Sequence, residues 1–431
     1  MQKYGKRPAA PWRLEKQKPA DPDRPLKLHV FPLFWVVASS LFAGCSGITQ
    51  QDEASRQESL PFPTVPTDRP SVFTTKPAGG ASAQNTLIGG RRKSADQGTQ
   101  AAIRRFLPQS VKDANGWVED IAVAFDALKL PPSDQNVCAV LAVTEQESTF
   151  HADPPVAGLS RIVRSEIDQR ASKYGIPRLA VKLALAVKSP GGRTYADRID
   201  TLRTENDLNT LYADMTSELP LGKTLLESYN PVRTGGPMQV SLKFAEAQVK
   251  DKTYPYAIQS SLRDELFSRR GGLYFGIAYL LDYPASYDKM IYRFADYNAG
   301  HYASRNAAFQ AAINQLTGMA IESDGDLLRY TEGEISSSQS QTQKAVLSLR
   351  ERLDLSEQAI IRDLRKEKTA SFEKSPLFIQ VFALARVSGG RLPRAQLPEI
   401  QLNSPKISHG LTTSKFARRV DERYRACLKR G

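Results

Sequence analysis

Hydrophobic positions recur at helical spacing through most of the chain, and no segment shows a convincing period-two alternation. Trp117, Ile121, Phe125 and Leu128 mark one helix face, with Asn115 placed to cap it. Pro131-Pro132-Ser133-Asp134 stops that helix and caps the next, whose body Val137-Cys138-Ala139-Val140-Leu141-Ala142-Val143 has no polar stripe. A helix that is apolar all round belongs in the middle of a domain. This one runs into Thr144-Glu145-Gln146-Glu147-Ser148, so two carboxylates stand at the end of a buried element. Such groups are costly there unless something uses them.

Downstream, Leu159, Ile162, Val163, Ile167 and Ala171 predict an amphipathic helix ended by Gly175 and Pro177. A short apolar helix from Leu179 to Val187 follows, broken at Pro190-Gly191-Gly192, then one more polar helix from about Tyr195 to Leu219. Leu225 to Asn230 leads into a loop, Thr234 to Gln239. Leu273 to Leu281 is strongly apolar, and Met290 to Tyr297 pairs with Tyr302 to Leu316 around Asn298-Ala299-Gly300. After Gly318 a Ser/Gln-rich stretch leads to three short helices, with Asp354 and Glu357 at capping-box spacing in front of the second, and to a basic helix from Ser414 to Leu428. The fold class expected is mainly α.

The N-terminus changes the picture. Val30 to Phe42 is apolar, follows a basic leader and is too short to span a bilayer, so it reads as a signal-peptide core. Leu41-Phe42-Ala43-Gly44-Cys45 resembles a bacterial lipobox, which implies cleavage before Cys45 and its lipidation. The plainer alternative is a core strand ending in an incidental cysteine. The Gln/Ser/Thr/Pro/Gly-rich stretch that follows suits a tether. By resemblance to Gram-negative lipoproteins, Ser46 implies an outer-membrane lipoprotein facing the periplasm. The expected organisation is a signal peptide at 1–44, a lipidated cysteine and tether at 45–105, a helical domain at 106–318 with an insertion at about 156–230, a linker at 319–343 and a C-terminal helical extension at 344–431.

The formal charge of +13 falls to about +8 once the leader is removed. That favours an anionic polymer such as peptidoglycan, or anionic lipid. Lys and Arg are scattered rather than striped and no nucleic-acid module is present, so no nucleic-acid partner is expected. With Cys45 acylated, Cys138 and Cys427 remain; a bridge between them and two buried thiols are both open. The histidines His29, His151, His301 and His409 have no metal-ligand spacing, so neither metal nor cofactor is expected, and His301 reads as a surface residue.

Three separated motifs carry the chemistry. Glu147-Ser148-Thr149-Phe150, Gly236-Pro237-Met238-Gln239 and Tyr297-Asn298-Ala299-Gly300 resemble, in order, the E-S-x-F, G-L-M-Q and Y-N-A-G elements of lytic transglycosylases in the lysozyme-like superfamily. The resemblance implies a goose-type, soluble-lytic-transglycosylase-like helical domain acting on peptidoglycan glycan strands. It makes Glu147 the catalytic acid and Ser148 a hydrogen-bonding neighbour. Met238 and Gln239 would line the cleft, Tyr297 would lie over the acid or the substrate acetamide, and Asn298 would fix the turn. Core filling by Met238 and helix capping by Asn298 are the purely structural alternatives. Pro237 replaces the family's leucine, and 91 positions separate Glu147 from Met238, more than in simpler members.

The residues support the same chemistry independently. Cleaving a glycosidic bond needs a carboxylic acid still protonated near neutral pH, and burial against apolar side chains raises a carboxyl pKa. Val143 and Val140 lie on the face of Glu147. Glu145 lies nearly opposite and reads as a structural partner for an arginine. No motif places the second carboxylate a hydrolase needs, and Asp296 is the nearby candidate. Lytic transglycosylases manage with one acid, closing a 1,6-anhydro ring on MurNAc. Two alternatives stand beside that reading. One is a non-catalytic peptidoglycan-binding scaffold lipoprotein that engages cell-wall protein partners; the other is a lysozyme-type hydrolase.

Overall fold

The computed structural model describes residues 96–218, 230, 232–331, 333–401 and 411–431. The leader, Cys45, most of the expected tether and Leu225 to Tyr229 lie outside the described residues. The last residues of the expected tether are helical. Asp96 caps α1 (Gln97–Phe106) by accepting from the Thr99 N–H at 3.2 Å, and the helix buries Ile103 and Phe106. Among the described residues the strands are two short antiparallel pairs, β1 (Thr234–Gly235) with β2 (Val240–Ser241) and β3 (Tyr330–Thr331) with β4 (Glu334–Ile335). The rest of the regular structure is helical, as the periodicity predicts. No helix among the described residues is long and apolar enough to cross a membrane.

The first core is built around α3 (Asp134–Ser148), with every residue from Val137 to Thr144 buried. It is surrounded by α1, α2 (Ala114–Leu128), α10 (Arg269–Leu281), α11 (Met290–Ala299) and α16 (Thr413–Leu428). One of the two caps read from the sequence here differs from expectation. Asp113, not Asn115, caps α2, accepting from Gly116 N–H at 3.3 Å, whereas Ser133 caps α3 as predicted.

The C-terminal helix departs further from expectation. α16 is not part of an extension: Phe416, Ala417, Val420 and Cys427 sit in the first core against α3 and α11. Cys138 and Cys427 are bridged, with Cα atoms 5.5 Å apart. Burial of the apolar α3 demands a cover on every side, and α16 supplies one of them.

The insertion has its own core. α4 (Leu159–Lys173), α5 (Arg178–Leu185), α6 (Tyr195–Asp200) and α7 (Glu205–Glu218) bury Leu159, Val163, Ile167, Ile199, Leu208 and Tyr212 together. Val232 and Phe267 close this core against the main body. Its entry is pinned to the turn between α6 and α7, where Pro155 bridges Thr204 and Val156 N–H donates to Arg203 C=O at 2.8 Å. Where one polar helix was expected from Tyr195 to Leu219, the chain forms two. Thr194 with Asp197 makes a capping box, and Thr204 with Asp207 bonds reciprocally in the same way.

Beyond the loop, α8 (Leu242–Asp251) and α9 (Leu262–Phe267) lead into α10. A third core joins α12 (Ala303–Thr317) to α13 (Gln341–Ser348), α14 (Glu357–Leu364) and α15 (Pro376–Gly389). The expected boundary at 318 therefore cuts through a packed unit. The expected linker is part of it too, with Leu327 and Leu328 buried and Ser340 capping α13. Ser356 rather than Asp354 caps α14. Fully buried Arg305 holds this unit to α12. Its guanidinium lies 4.3 Å from the Tyr302 ring centroid and donates to the carbonyls of Thr369 (2.8 Å) and Glu367.

Candidate active site

Glu147 occupies the last turn of α3, where a buried helix meets the surface. The chain leaves it abruptly: Thr149 (φ 49°) and Phe150 (φ 57°) are both left-handed, a conformation that costs β-branched and bulky residues about 1 kcal/mol or more each. Phe150 holds the turn by setting its ring edge-on to Trp117, centroids 5.5 Å apart. Ser148 is buried and its hydroxyl donates back to Thr144 C=O at 2.9 Å. Glu145 points away, as read from its helical position, and pairs with Arg423 on α16 at 3.8 Å.

The second motif is the tight turn joining β1 to β2. Gln239 closes it, its N–H donating to Gly236 C=O at 3.1 Å and its side-chain amide donating to the same oxygen at 3.2 Å. Gly236 has φ 74°, and a Cβ there would meet Leu266 C=O at 2.4 Å, so both conformation and space require glycine. Met238 is fully buried and lies on Gly276 of α10; a Cβ at Gly276 would come within 2.5 Å of Met238 Cβ. The turn is thus pressed onto a helix whose side chain has been removed to admit it.

The third motif ends α11. The buried Tyr297 hydroxyl donates to Met238 C=O at 2.6 Å, joining the second and third motifs directly. Burial, and then the nearby charge of Glu147, push the Tyr297 phenol well above its ordinary pKa, so the first motif is in the same place. Asn298 is buried and its Oδ1 accepts from the Thr413 hydroxyl at 2.8 Å, at the start of α16.

Asp296 is not a second cleft carboxylate. It is fully buried and accepts from Tyr283 (3.0 Å) and Tyr287 (2.6 Å) hydroxyls and from the N–H groups of Tyr302 (2.9 Å) and Ser304 (2.7 Å). Those four donors fix the turn between α11 and α12. His301 is also placed differently from the surface position expected. It is sandwiched between Tyr279 and Tyr283, with ring centroids at 4.3 and 4.0 Å, and its Nε2 is 2.7 Å from Tyr279 C=O. Burial lowers its pKa to about 4, so it is neutral at physiological pH.

The electrostatics single out Glu147. Its side chain keeps partial access to the surface, yet burial and then the negative charge of Glu205 push its pKa up to about 8. Glu205 comes from the insertion, at the first turn of α7, and is itself buried. The Pro155–Thr204 bridge sets that turn beside the segment leaving Glu147. Asp153 lies on the same segment; burial raises its pKa against hydrogen bonds from Thr204 and the Asn206 backbone. Sequence reasoning missed Glu205 by running one helix through Tyr195 to Leu219. The signal was present in Thr204-Glu205-Asn206-Asp207, whose first and fourth residues cap a new helix start.

Among the described residues no group of His, Cys, Asp and Glu could hold a metal ion. A cavity of about 550 Å³ lies in the third core unit, lined by Gln310, Asp324, Asp326, Tyr330, Thr342 and Lys368. No motif residue lines it, and its polar groups engage one another, as Gln310 does with Asp324 at 2.7 Å. Convergent chemistry rather than cavity size therefore places the candidate site at Glu147.

Fold and site together define a mainly helical protein with a proton-holding glutamate at the end of its central helix. The chain belongs to the family described as "Protein of unknown function (DUF1615)", whose model matches residues 110–430. It is 49% identical over 330 residues to the "Uncharacterized protein YaiW" of Escherichia coli (strain K12), a match covering 76% of this chain and 89% of that protein. No solved structure matches the chain.

Proposed function

We propose that the protein is a lytic transglycosylase of lysozyme-like fold that cleaves the MurNAc–GlcNAc bond of peptidoglycan glycan strands. The observation that carries this reading is a glutamate with pKa about 8 beside the joined Tyr297 and Met238–Gln239 elements. At neutral pH Glu147 holds the proton the leaving GlcNAc oxygen needs. As that bond breaks, the MurNAc acetamide oxygen bonds to C1. Glu147, now a carboxylate, then takes the proton of the MurNAc 6-hydroxyl, whose oxygen displaces the acetamide and closes the 1,6-anhydro ring. Ser148, Met238, Gln239, Tyr297 and Asn298 shape or support the sugar site. Lipidation of Cys45 would hold the enzyme at the outer membrane, within reach of the wall from the periplasm.

One observation favours a second reading. Glu205 beside Glu147 supplies the acidic pair of a lysozyme-type hydrolase, a role its burial opposes. Mass analysis of soluble products from purified sacculi separates the two, because anhydro-muropeptides are lighter by one water than reducing-end products. Release of neither product over long incubation, with sacculi still bound, points instead to a scaffold.

A further inference from the structure

The insertion carries a surface unlike the rest of the protein. Helix α5 buries Val181 and Leu185 in the insertion core and turns Leu179 and Leu183 outward, 68% and 65% exposed. Val187, one turn further, and Tyr174, at the end of α4, continue the apolar surface at 41% and 58% exposure. Spacing of four residues sets 179 and 183 along one side of the helix, and Val187 follows just past its end. Leucines two-thirds exposed on consecutive turns call for something to cover them.

The surrounding charge says what. Lys173, Arg178, Lys182, Lys188 and Arg193 are all exposed, and no Asp or Glu occurs from 173 to 193. The acids on the elements packed against α5 are Glu166 and Asp168 on α4 and Asp197 and Asp200 on α6; Glu166 is held by Arg170 and Asp200 by Arg164 at 2.6 Å. Leucine and tyrosine rimmed by lysine and arginine is the composition that lies in the interface of an anionic bilayer, with long basic side chains reaching to phosphate. A second copy of this face would bring like charges together, and a hydrated glycan has no place for the leucines. We propose that α5 and the turn before it dock the insertion onto an anionic phospholipid surface, Tyr174, Leu179 and Leu183 entering the headgroup region. An eight-residue helix gives weak, reversible, salt-sensitive contact, so it orients the domain rather than anchoring it.

The test uses the full chain carrying Cys45→Ser, which removes lipidation, and Ala186→Cys labelled with an environment-sensitive thiol probe; Cys138 and Cys427 are bridged. Vesicles of equal parts phosphatidylglycerol and phosphatidylcholine are expected to shift the emission to the blue. Pure phosphatidylcholine leaves it unchanged, and added salt reverses the shift. Leu179→Ser with Leu183→Ser, both exposed and so compatible with folding, weakens the vesicle titration roughly tenfold or more. The same probe at exposed Glu351→Cys, in the third core unit, stays silent. The proposal is overturned by an unshifted Ala186→Cys probe, an equal shift at Glu351→Cys, or a titration unaffected by the double serine variant. It is also overturned if polyglutamate shifts the probe as vesicles do, which indicates an acidic protein partner, or if self-association buries the probe without lipid.

Discussion

The charge of Glu205 raises the proton affinity of Glu147, although 58 residues separate the two in the chain and the helices that carry them build different hydrophobic cores. Burial acts first and in the same direction. Both effects hold a proton on the side chain that gives one away in the proposed reaction.

Activity on sacculi should therefore fall as pH rises through about 8, where Glu147 loses its proton. Glu205→Gln removes one of the two causes, so the descending limb moves to lower pH while remaining above the ordinary glutamate range. The check is a pH series of muropeptide release for both proteins. An unmoved limb in Glu205→Gln would separate the two residues functionally.

Glu147→Gln should abolish release of anhydro-muropeptides and stabilise the fold. The folded pKa lies above the unfolded one, near 4.5, so the native state binds more protons and wild-type stability declines between about pH 4.5 and 8. A neutral amide escapes that decline. Above pH 8 the variant should be more stable than wild type by on the order of a few kcal/mol, read from denaturant melts across pH. A variant that melts earlier than wild type at pH 8 contradicts the assigned proton affinity.

Tyr297→Phe deletes the bond to Met238 C=O and leaves that buried carbonyl without its donor. A stability loss of about 1–3 kcal/mol is expected, together with a lower rate of glycan cleavage. Measuring both separates a loosened site from a global collapse: if stability falls and turnover does not, Tyr297 serves the fold alone.

Gly276→Ala should be more damaging to activity than its size implies. The added Cβ enters Met238 at 2.5 Å, so the Gly236–Gln239 turn must shift away from α10. Recovery of activity by the double variant Gly276→Ala with Met238→Gly, which removes the Cβ that would be struck, would assign the effect to this contact; continued loss would place it elsewhere.

Much of this was legible from local pattern. The central apolar helix, the helical class, the Ser133 cap and the outward turn of Glu145 all follow from spacing along one element. The order of the three motifs pointed to Glu147, Met238 and Tyr297, which the fold joins. What escaped depends on partners far away in the chain. Asp296 reads as a cleft carboxylate until Tyr283, Tyr287 and two backbone N–H groups are folded around it. α16 reads as a basic extension because its buried stripe, Phe416, Val420 and Cys427, needs α3 and α11 to give it meaning. Glu205 was hidden by one overlooked cap.

Reduction of the Cys138–Cys427 bridge, or Cys138→Ser with Cys427→Ser, is expected to cost about 2–5 kcal/mol, since it releases a long loop. Thiol labelling under denaturing conditions without reductant should leave both cysteines unmodified. Labelling of Cys138 in that experiment removes the bridge from the account.

The bridge also spans time. α3 leaves the ribosome, and any export channel, long before α16, whose Cys427 lies 289 positions after Cys138. Until then the central helix lacks one wall, the one that sets Arg423 beside Glu145 and Thr413 against Asn298. On the proposed function, the support of Asn298 in the third motif would be completed only when the final helix locks in, after synthesis and transit.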